Sequence, residues 1–531
     1  MRTLSRLALA FGGALAILEL APDLHGQAGT PADVIARAAE ALGGRNRVMA
    51  ANTLTIEGYG QLAYQNGGGN ITSSPDAPQK WVDINEHRRE IDLRTGRMLV
   101  RQKQVNGFVF AAEQGMRGGL SQQGVEGDVA FNLAGTGAAA TVTRAPAAAA
   151  RARRMDMLAH PLTAVRAALD PAATVANARR EGTLQLVDIT ARLGDLMTLA
   201  VDDATGLPAW VRWTAADPNL GNVTFRAAFT GYQPVNGLRL PTGFNTTIDF
   251  RNIVQSKLYV DRQAVNATLT ALTLPDTLRK DPPPVPAAPV IEATAVAKGI
   301  WYLRGQGNST LFEFSDHLTL FEAYGSEANA LAIIAKARSL VPGKPLTQVI
   351  VSHHHFDHTG GLRAAVAEGL TIVTQAGNEA LFRELATRPA RLFPDALGRA
   401  PKPIRIQILT VDDHLKMKDA SMEIDIYRVV ANSHMADGLL VHVPGERLLV
   451  QGDLFDVSWE IYWWGSSYED NIRYRKLQVE RDLPVHGRVA PIAEVQALIK
   501  KQIAAAQALC ASVDAARLTM PGCPVKETVD R

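Results

Sequence analysis

The chain has 531 residues, of which 47% are hydrophobic and 20% are charged. This length suggests two or three domains rather than one, and the hydrophobic fraction is sufficient for sizeable cores. The formal net charge is +2, with both signs mixed along the chain. Composition therefore gives no electrostatic case for binding a nucleic acid.

The N-terminus has the pattern of a secretory signal peptide over residues 1–28. Arg2 and Arg6 supply a positive region, residues 7–18 form a short apolar run, and Gly26-Gln27-Ala28 offers a small-x-small cleavage site. That run is too short to cross a bilayer comfortably, and no other apolar run reaches about 18 residues. We expect a periplasmic or secreted protein with no transmembrane span after signal removal. An uncleaved anchor is the alternative.

Residues 29–280 are predicted to form a mainly antiparallel β domain. A helix is predicted between about residues 30 and 50, with Gly43 and Gly44 as its stop. Residues 132–155 are rich in alanine and arginine and are predicted to be a loop or a weakly specified helix. Alternating segments separated by turn signals predict strands at 184–189, 197–201, 209–214, 222–232 and 243–250. The pattern indicates a curved sheet or half-barrel with a helix against it, in a structural or lid role. Binding of an apolar ligand is the alternative.

Residues 281–289 are predicted to be a semi-rigid linker because five of these nine positions are proline. Residues 290–531 then read as a second domain, in which short strands and helices alternate. Predicted helices include about 326–340, 362–368 and 378–385, and a last long helix covers about 492–513.

One stretch of this second domain carries most of its chemistry. An apolar run ending at Val351 predicts a buried strand, and the loop after it contains His353, His355, Asp357 and His358. Imidazole nitrogen and carboxylate oxygen are ligands of zinc and similar divalent metals. His354 alternates with these residues, so we expect it to point away. A solvated histidine-rich loop is the alternative, but other histidines and a carboxylate follow predicted strands further along the chain.

These further residues are His434, Asp453 and His486, and with the central run they resemble the ligand set of the metallo-β-lactamase superfamily. The resemblance implies that one metal is held by His353, His355 and His434. A second would be held by Asp357, His358 and His486, with Asp453 bridging the two. It implies an αββα four-layer sandwich for residues 290–531, with two divalent ions, most plausibly Zn²⁺, at one edge of the sheets. The preceding β domain looks like a lipoprotein-carrier half-barrel.

The resemblance implies an exported metal-dependent hydrolase that cleaves an ester, lactone or amide of a small, partly apolar substrate. A hydroxide bridging both metals would attack, and the catalytic role of Asp357 would be to orient it. A phosphodiester or phosphotriester hydrolase, or a β-lactamase of the same fold, is the alternative. An apolar-ligand carrier that uses the N-terminal domain is the non-enzyme alternative. Lactonases of the superfamily have a tyrosine where this chain has Asp456, and Tyr462 or Tyr468 could replace it.

Two further features stay open at this level. An aromatic run between Asp453 and His486 is a tentative substrate-binding surface, although a domain interface is equally consistent with it. Its members are Trp459, Tyr462, Trp463 and Trp464. Cys510 and Cys523 are the only two cysteines, and in an exported protein they could form one disulfide or stay free.

Overall fold

A computed structural model describes residues 29–64, 73–75, 79–106, 119–135, 140–458 and 465–515. The predicted signal segment, the aromatic residues Trp459, Tyr462, Trp463 and Trp464, and Cys523 lie outside these ranges. The predictions made for them therefore stay predictions. Across the described ranges, no helix combines the length and the apolar character needed to cross a membrane.

The N-terminal region is built on one large antiparallel sheet. Thirteen strands of the described chain form it in the order β6-β5-β4-β3-β2-β1-β15-β14-β11-β10-β9-β8-β7, and β12 pairs with β13. The bounds are β1 (Thr53–Ala63), β2 (Trp81–Asp92), β3 (Arg97–Asn106), β4 (Gly119–Glu126), β5 (Val129–Ala134), β6 (Thr141–Arg144), β7 (Thr174–Glu181), β8 (Leu184–Thr190), β9 (Leu196–Asp202), β10 (Pro208–Asp217), β11 (Gly221–Thr230), β12 (Gln233–Val235), β13 (Leu238–Leu240), β14 (Gly243–Ile248) and β15 (Val254–Val265). The predicted antiparallel β domain is confirmed.

Helices cover one face of this sheet and fill the core beneath it. They are α1 (Pro31–Ala41), α2 (Arg45–Ala50), α3 (Ala147–Leu158) and α4 (Pro161–Ala168). Thr30 caps α1 by accepting a hydrogen bond from the Asp33 amide, and Val34, Ile35 and Ala38 of α1 are buried. These helices pack with strand residues such as Leu54, Ile56 and Leu199 in one core. The curved sheet is thus packed on its helix-bearing face, which suits the structural role.

Helix α3 covers the end of segment 132–155, which was predicted to be a loop or a weakly specified helix. The sequence there is alanine-rich, with little apolar periodicity, yet Ala150, Met155 and Leu158 are buried. Arg154 is buried too, because its guanidinium bonds to Asp195 at 2.6 Å and to Asp128 at 2.6 Å. These partners lie 26 and 41 positions away in the sequence, so no local pattern indicates that this segment is well ordered.

The C-terminal region contains two sheets packed face to face. The first has the order β16-β17-β18-β19-β20-β21-β22 and the second β23-β24-β25-β26-β27-β28, as the described residues show them. The bounds are β16 (Glu292–Ala297), β17 (Ile300–Arg304), β18 (Ser309–Glu313), β19 (Leu318–Phe321), β20 (Leu346–Ile350), β21 (Thr371–Gln375), β22 (Ile408–Val411), β23 (His414–Lys418), β24 (Glu423–Arg428), β25 (Leu439–Val443), β26 (Leu448–Gln451), β27 (Arg481–Pro484) and β28 (Ala490–Pro491). Residues of both sheets, among them Phe312, Ile350, Ile424 and Val441, form the core between them.

Helices cover the outer faces of the two sheets. The helices of this region are α6 (Glu327–Leu340), α7 (Phe356–Thr359), α8 (Leu362–Ala367), α9 (Glu379–Thr387), α10 (Ser466–Arg475) and α11 (Ile492–Ala515), with 3₁₀ turns at Ala376–Asn378 and Pro444–Glu446. The short α5 (Asp276–Lys280) precedes them and packs on the N-terminal sheet, where Leu278 shares a cluster with Leu99 and Phe131. Residues of α6, α8 and α9 pack on the first sheet, whereas residues of α10 and α11 pack on the second. The predicted αββα sandwich is confirmed.

The N-terminal and C-terminal regions share part of their hydrophobic core. Leu220, Val223, Ile248 and Phe250 of the N-terminal sheet share one buried cluster with residues of the C-terminal region. Residues 281–289 carry no helix or strand, but the domain boundaries proposed on either side of them stay a prediction.

Candidate metal centre

The predicted ligand loop lies where several strands end at one edge of the sandwich. Strands β19, β20 and β21 are parallel, so their carboxyl ends meet at the same edge. His353, His355, Asp357 and His358 follow β20 directly. The second sheet contributes the remaining residues, because His434 follows β24, Asp453 follows β26 and His486 follows β27. Chain connections thus bring together residues as much as 133 positions apart in the sequence.

The first group comprises His353, His355, His434 and Asp453, whose ligand atoms all lie within 4.8 Å of one another. His353 Nε2 lies 2.9 Å from His355 Nδ1, and His434 Nε2 lies 2.9 Å from Asp453 Oδ2. His353 Nε2 is 3.7 Å from the same carboxylate oxygen. Three imidazole nitrogens and one oxygen therefore face a common point, as a tetrahedral metal site requires.

The second group comprises Asp357, His358, Asp453 and His486, again with ligand atoms within 4.8 Å of one another. Asp453 Oδ1 lies 3.1 Å from His358 Nε2 and 3.2 Å from His486 Nε2. Asp357 Oδ2 lies 3.5 Å and 3.6 Å from the same two nitrogens. One oxygen of Asp453 thus faces each group, which is the arrangement a bridging carboxylate needs. All seven predicted ligands are brought together.

Buried groups behind the ligands hold them in place. Glu322, which follows β19, accepts a hydrogen bond from the Ser352 amide at 2.8 Å, and its Oε1 lies 3.3 Å from His358 Nδ1. Ser352 Oγ lies 2.9 Å from His353 Nδ1. A metal-bound imidazole is usually oriented by such a partner on its other nitrogen. Asp413, which is close to His434 in the sequence, pairs instead with Arg475.

Tyr324 also contacts the second group. Its hydroxyl donates to Asp357 Oδ2 at 3.1 Å, and its ring meets those of His358 and His486 edge-on at 5.2 Å between centroids. Tyr324 was not predicted, whereas Tyr468, which was, is fully buried and donates to Asp482. The signal that could have found Tyr324 and Glu322 is their position just after β19, the parallel neighbour of the ligand strand.

The protonation pattern fits a metal. Burial lowers the pKa values of His353 and His355 well below their ordinary value, and it lowers that of His434 against the opposing effect of Asp453. Burial opposes ionisation of Asp357 and Asp453, but adjacent histidines hold both carboxyl pKa values below the usual range. Neutral imidazoles and ionised carboxylates are the forms that bind metal.

The other two imidazoles, those of His358 and His486, have raised pKa values. Burial lowers the pKa of His486, but Asp453 and Asp357 outweigh it and raise that pKa to about 10. The same carboxylates and Glu322 raise the pKa of His358 well above its ordinary value, although burial opposes them. His358 Nε2 and His486 Nε2 both face Asp453 Oδ1, at 3.1 and 3.2 Å. A divalent cation bound to the second group would displace protons from these imidazoles.

Two side chains of the N-terminal region also act on the site. The Tyr64 amide donates to the Lys80 carbonyl at 3.0 Å, where β1 ends and β2 is about to begin. Burial raises the pKa of Tyr64, and the charges of Asp357 and Asp453 raise it further. Burial is the main cause of the lowered pKa of His434, and the positive charge of Lys80 lowers that pKa further. No motif marks these residues, because only the packing of the two regions brings them near the metal groups.

Comparison with known proteins gives one family match. Residues 302–469 match the model of the metallo-beta-lactamase superfamily. A linear primary-alkylsulfatase from Pseudomonas sp is 36% identical over 75 residues, which is 14% of this chain and 11% of that protein. The chain therefore matches only about a tenth of the length of this curated relative.

Solved structures resemble the chain at low identity. A metallo-beta-lactamase from Pontibacter korlensis is 14% identical and matches 40% of this chain and 99% of its own, with a TM-score of 0.32. The metallo-beta-lactamase FIM-1 from Pseudomonas aeruginosa, in its mono-zinc form, is 15% identical and matches 41% of this chain and 98% of its own, with a TM-score of 0.31.

Proposed function

Because this chain belongs to the metallo-β-lactamase superfamily, we propose that it is a binuclear metal-dependent hydrolase that cleaves an ester, lactone or amide of a small molecule. The observation that carries the proposal is the pair of ligand groups that share Asp453, one group for each of its carboxylate oxygens. Zinc is the metal that this set of imidazoles and carboxylates suits best.

The chain's own residues prepare the site for this reaction. Divalent cations bound to the two groups would lower the pKa of a bound water and polarise the oxygen of the bond being cleaved. Tyr324 fixes the Asp357 carboxylate through its hydroxyl, so that this carboxylate can orient the attacking water. Glu322 and Ser352 hold the rings of His358 and His353 by their Nδ1 atoms. The ligands then need little rearrangement during turnover.

The first experiment measures metal content and turnover on the same preparations. Wild type, His355→Ala and His414→Ala would be repleted with zinc and assayed on chromogenic carboxylate esters, lactones, phosphoesters, a sulfate ester and a cephalosporin. His414 is the matched control, because it lies on β23 and pairs with Asp425 away from both groups. We expect two metals per wild-type chain and hydrolysis of one bond type.

Loss of a hydrogen-bond partner that orients a metal ligand usually lowers activity by up to roughly 100-fold. Because His355 is proposed as a ligand itself, turnover in His355→Ala should fall by more than that. His414→Ala should match wild type. Fewer than one metal per wild-type chain after repletion, or full turnover in His355→Ala, would rule out the proposed ligand set.

A second candidate, hydrolysis of a sulfate ester, is favoured by one observation beside the alkylsulfatase match. The charge of Lys80 contributes to the lowered pKa of His434, after burial, although burial also lowers the pKa of Lys80 itself. An ammonium there can pair with a sulfate oxygen, which a neutral ester lacks. Water would attack sulfur, the S–O bond would break, and an alcohol and hydrogen sulfate would form.

Lys80 substitutions separate this candidate from the first. Lys80→Ala should raise KM for an aryl sulfate by about ten- to 100-fold, the worth of one charge-assisted hydrogen bond, and leave a neutral aryl ester unaffected. Lys80→Arg should retain most of the affinity. Lys416→Ala is the control, because Lys416 is exposed on β23 and pairs with Glu423. Equal effects on both substrates would exclude a role for Lys80 in anion recognition.

Export is part of the proposal as well, since residues 1–28 have the pattern of a signal peptide. Expression of the full chain followed by cell fractionation should give a periplasmic or secreted protein that begins at Gly29. Recovery of an intact N-terminus in the cytoplasm would contradict it.

A further inference from the structure

The turn between β10 and β11 joins the N-terminal sheet to the ligand loop. Asp217 Oδ1 accepts hydrogen bonds from the amides of Asn219 and Leu220, each at 2.9 Å, and this fixes the turn. Gly221 has a φ of +64°, and a Cβ there would lie 2.6 Å from the Pro389 carbonyl oxygen. The Asn222 amide donates to the same oxygen at 2.7 Å. The turn is therefore held tightly against the C-terminal region.

From this turn, the side chain of Asn219 bonds to both ends of helix α7. Its Nδ2 donates to the Phe356 carbonyl at 3.0 Å, and its Oδ1 accepts from Thr359 Oγ1 at 2.7 Å. Asn219 is 6% exposed, so water does not compete for these bonds. Between Phe356 and Thr359 lie Asp357 and His358, two ligands of the second group. One amide side chain thus brackets both ligands.

Helix α7 depends on such external bonds. It has only four residues, too few to be stable as a helix by itself. On the other side the Gly325 amide donates to the Asp357 carbonyl at 2.8 Å, and Tyr324 bonds the Asp357 side chain. Asn219 supplies the opposing contacts from a different sheet. A shift of α7 would move Asp357 and His358 directly, whereas His355 of the first group lies just before the helix as its N-cap.

We propose that Asn219 is a positioning residue for the second metal group, so that the N-terminal β region completes the metal centre. The inference rests on the proposed two-metal function. It gives the β10–β11 turn a role at the site that no ligand motif predicts. It also acts more directly on the second group than on the first, because α7 contains Asp357 and His358 but only begins after His355.

Metal binding, measured without turnover, tests this inference. Full-length wild type, Asn219→Ala, Asn219→Asp and Asn222→Ala would be titrated with zinc against a chromophoric chelator. We expect both Asn219 variants to lose about 10- to 100-fold in affinity for one metal, as loss of an outer partner usually costs, and to keep the other. Asn219→Asp retains size and the acceptor for Thr359 but cannot donate to the Phe356 carbonyl.

Asn222→Ala is the matched control from the same turn. Asn222 Oδ1 is buried without a hydrogen-bond partner among the described atoms, so this substitution removes no bond to α7. Thr359→Val and Thr359→Ser form a second pair, which approaches the same bond from the other side. Valine should reproduce the selective loss and serine should retain wild-type affinity.

The outcomes distinguish this inference from the proposed function. If wild type binds no zinc, the proposed function fails. If wild type binds two ions and both Asn219 variants bind them with unchanged affinity, the positioning role is overturned. Equal loss of both ions in both Asn219 variants would overturn it too, because that pattern indicates a general structural role.

Discussion

The carboxyl group of Asp482 shows how burial can dominate a residue's ionisation. It lies on β27 and is fully buried, with Tyr468 donating to Oδ1 at 3.1 Å and Gln451 donating to Oδ2 at 3.3 Å. Burial outweighs both hydrogen bonds and raises the pKa of Asp482 to about 8. At neutral pH the carboxyl group therefore holds a proton in the folded protein.

This shift predicts a pH-dependent loss of stability. Between the unfolded pKa of about 4 and the folded pKa, the folded chain binds a proton that the unfolded chain has lost. The free energy of unfolding should thus fall as pH rises through this window, by at most about 1.4 kcal/mol per unit, and the decline should end above the folded pKa. Asp482→Asn removes this titration. Urea unfolding would measure the free energy of unfolding of both proteins across this pH window. The stability of Asp482→Asn relative to wild type should increase as pH rises, and a difference that does not change with pH would contradict the raised pKa.

At the metal centre, a residue could be predicted from the sequence when it belongs to a short motif or directly follows a predicted strand. His353, His355, Asp357 and His358 share one loop, and the remaining ligands follow recognisable strands, so all of them could be named. Tyr324, Glu322 and Asn219 were not predicted, and for Asn219 the sequence holds no signal. The first two reach the site through the parallel pairing of β19 with β20, and Asn219 reaches it from another sheet. Such contacts have no signature in local spacing.

At the level of elements, the strands were predicted well because apolar and polar residues alternate along a strand that has one buried face. The predicted strand 184–189 is observed as Leu184–Thr190, and 243–250 as Gly243–Ile248. Helix α3 was not predicted firmly, since alanine and arginine carry little apolar pattern. Its position is fixed by the buried pairing of Arg154 with Asp195, which only the fold creates.

The junction between the ligand loop and helix α8 depends on two glycines. A Cβ on Gly361 would collide with the Ala323 carbonyl oxygen, and one on Gly360 would collide with that of Gly325. We expect Gly361→Ala to lower the free energy of unfolding by about 1–3 kcal/mol, the usual cost of overpacking. It should also weaken zinc binding, because the loop must shift.

Gly445→Ala is the matched control for this element. A Cβ at Gly445 would meet no heavy atom of the described residues within 4 Å, so urea unfolding should show little change. If Gly361→Ala were as stable as Gly445→Ala, the close approach of the loop to the end of β19 would not be required.

At the level of the whole molecule, the sequence placed the main boundary at the proline-rich linker, but the core crosses it. Leu220, Val223 and Phe250 of the N-terminal sheet pack in one cluster with residues of α6, α8 and α9. Hydrophobic patterning along a segment shows that a face is buried, but it cannot show which other segment covers that face. The shared cluster predicts that both regions unfold in one cooperative step.

Arg388, directly after α9, provides a test of this coupling. Its guanidinium donates to the carbonyls of Leu220 and Asn222 at 2.8 and 3.0 Å and to Asp249 at 2.8 Å, with the side chain 12% exposed. Charge-assisted bonds of this kind contribute about 1.5–3 kcal/mol when buried. Arg388→Ala should therefore lower the free energy of unfolding by about 2–3 kcal/mol.

The matched control for Arg388 lies on α9 itself. Arg383 is half exposed and, among the residues that the structure describes, forms an ion pair with Glu379 alone, so Arg383→Ala should cost less than about 0.5 kcal/mol. If the two regions unfold together, circular dichroism and tryptophan fluorescence should report coincident transitions in wild type and should separate in Arg388→Ala, because the substitution weakens the contact between the regions. Equal stability of the two variants would mean that the shared apolar cluster, and not the Arg388 bonds, holds the regions together. The Asn219 contact with the ligand loop would then depend on that cluster alone.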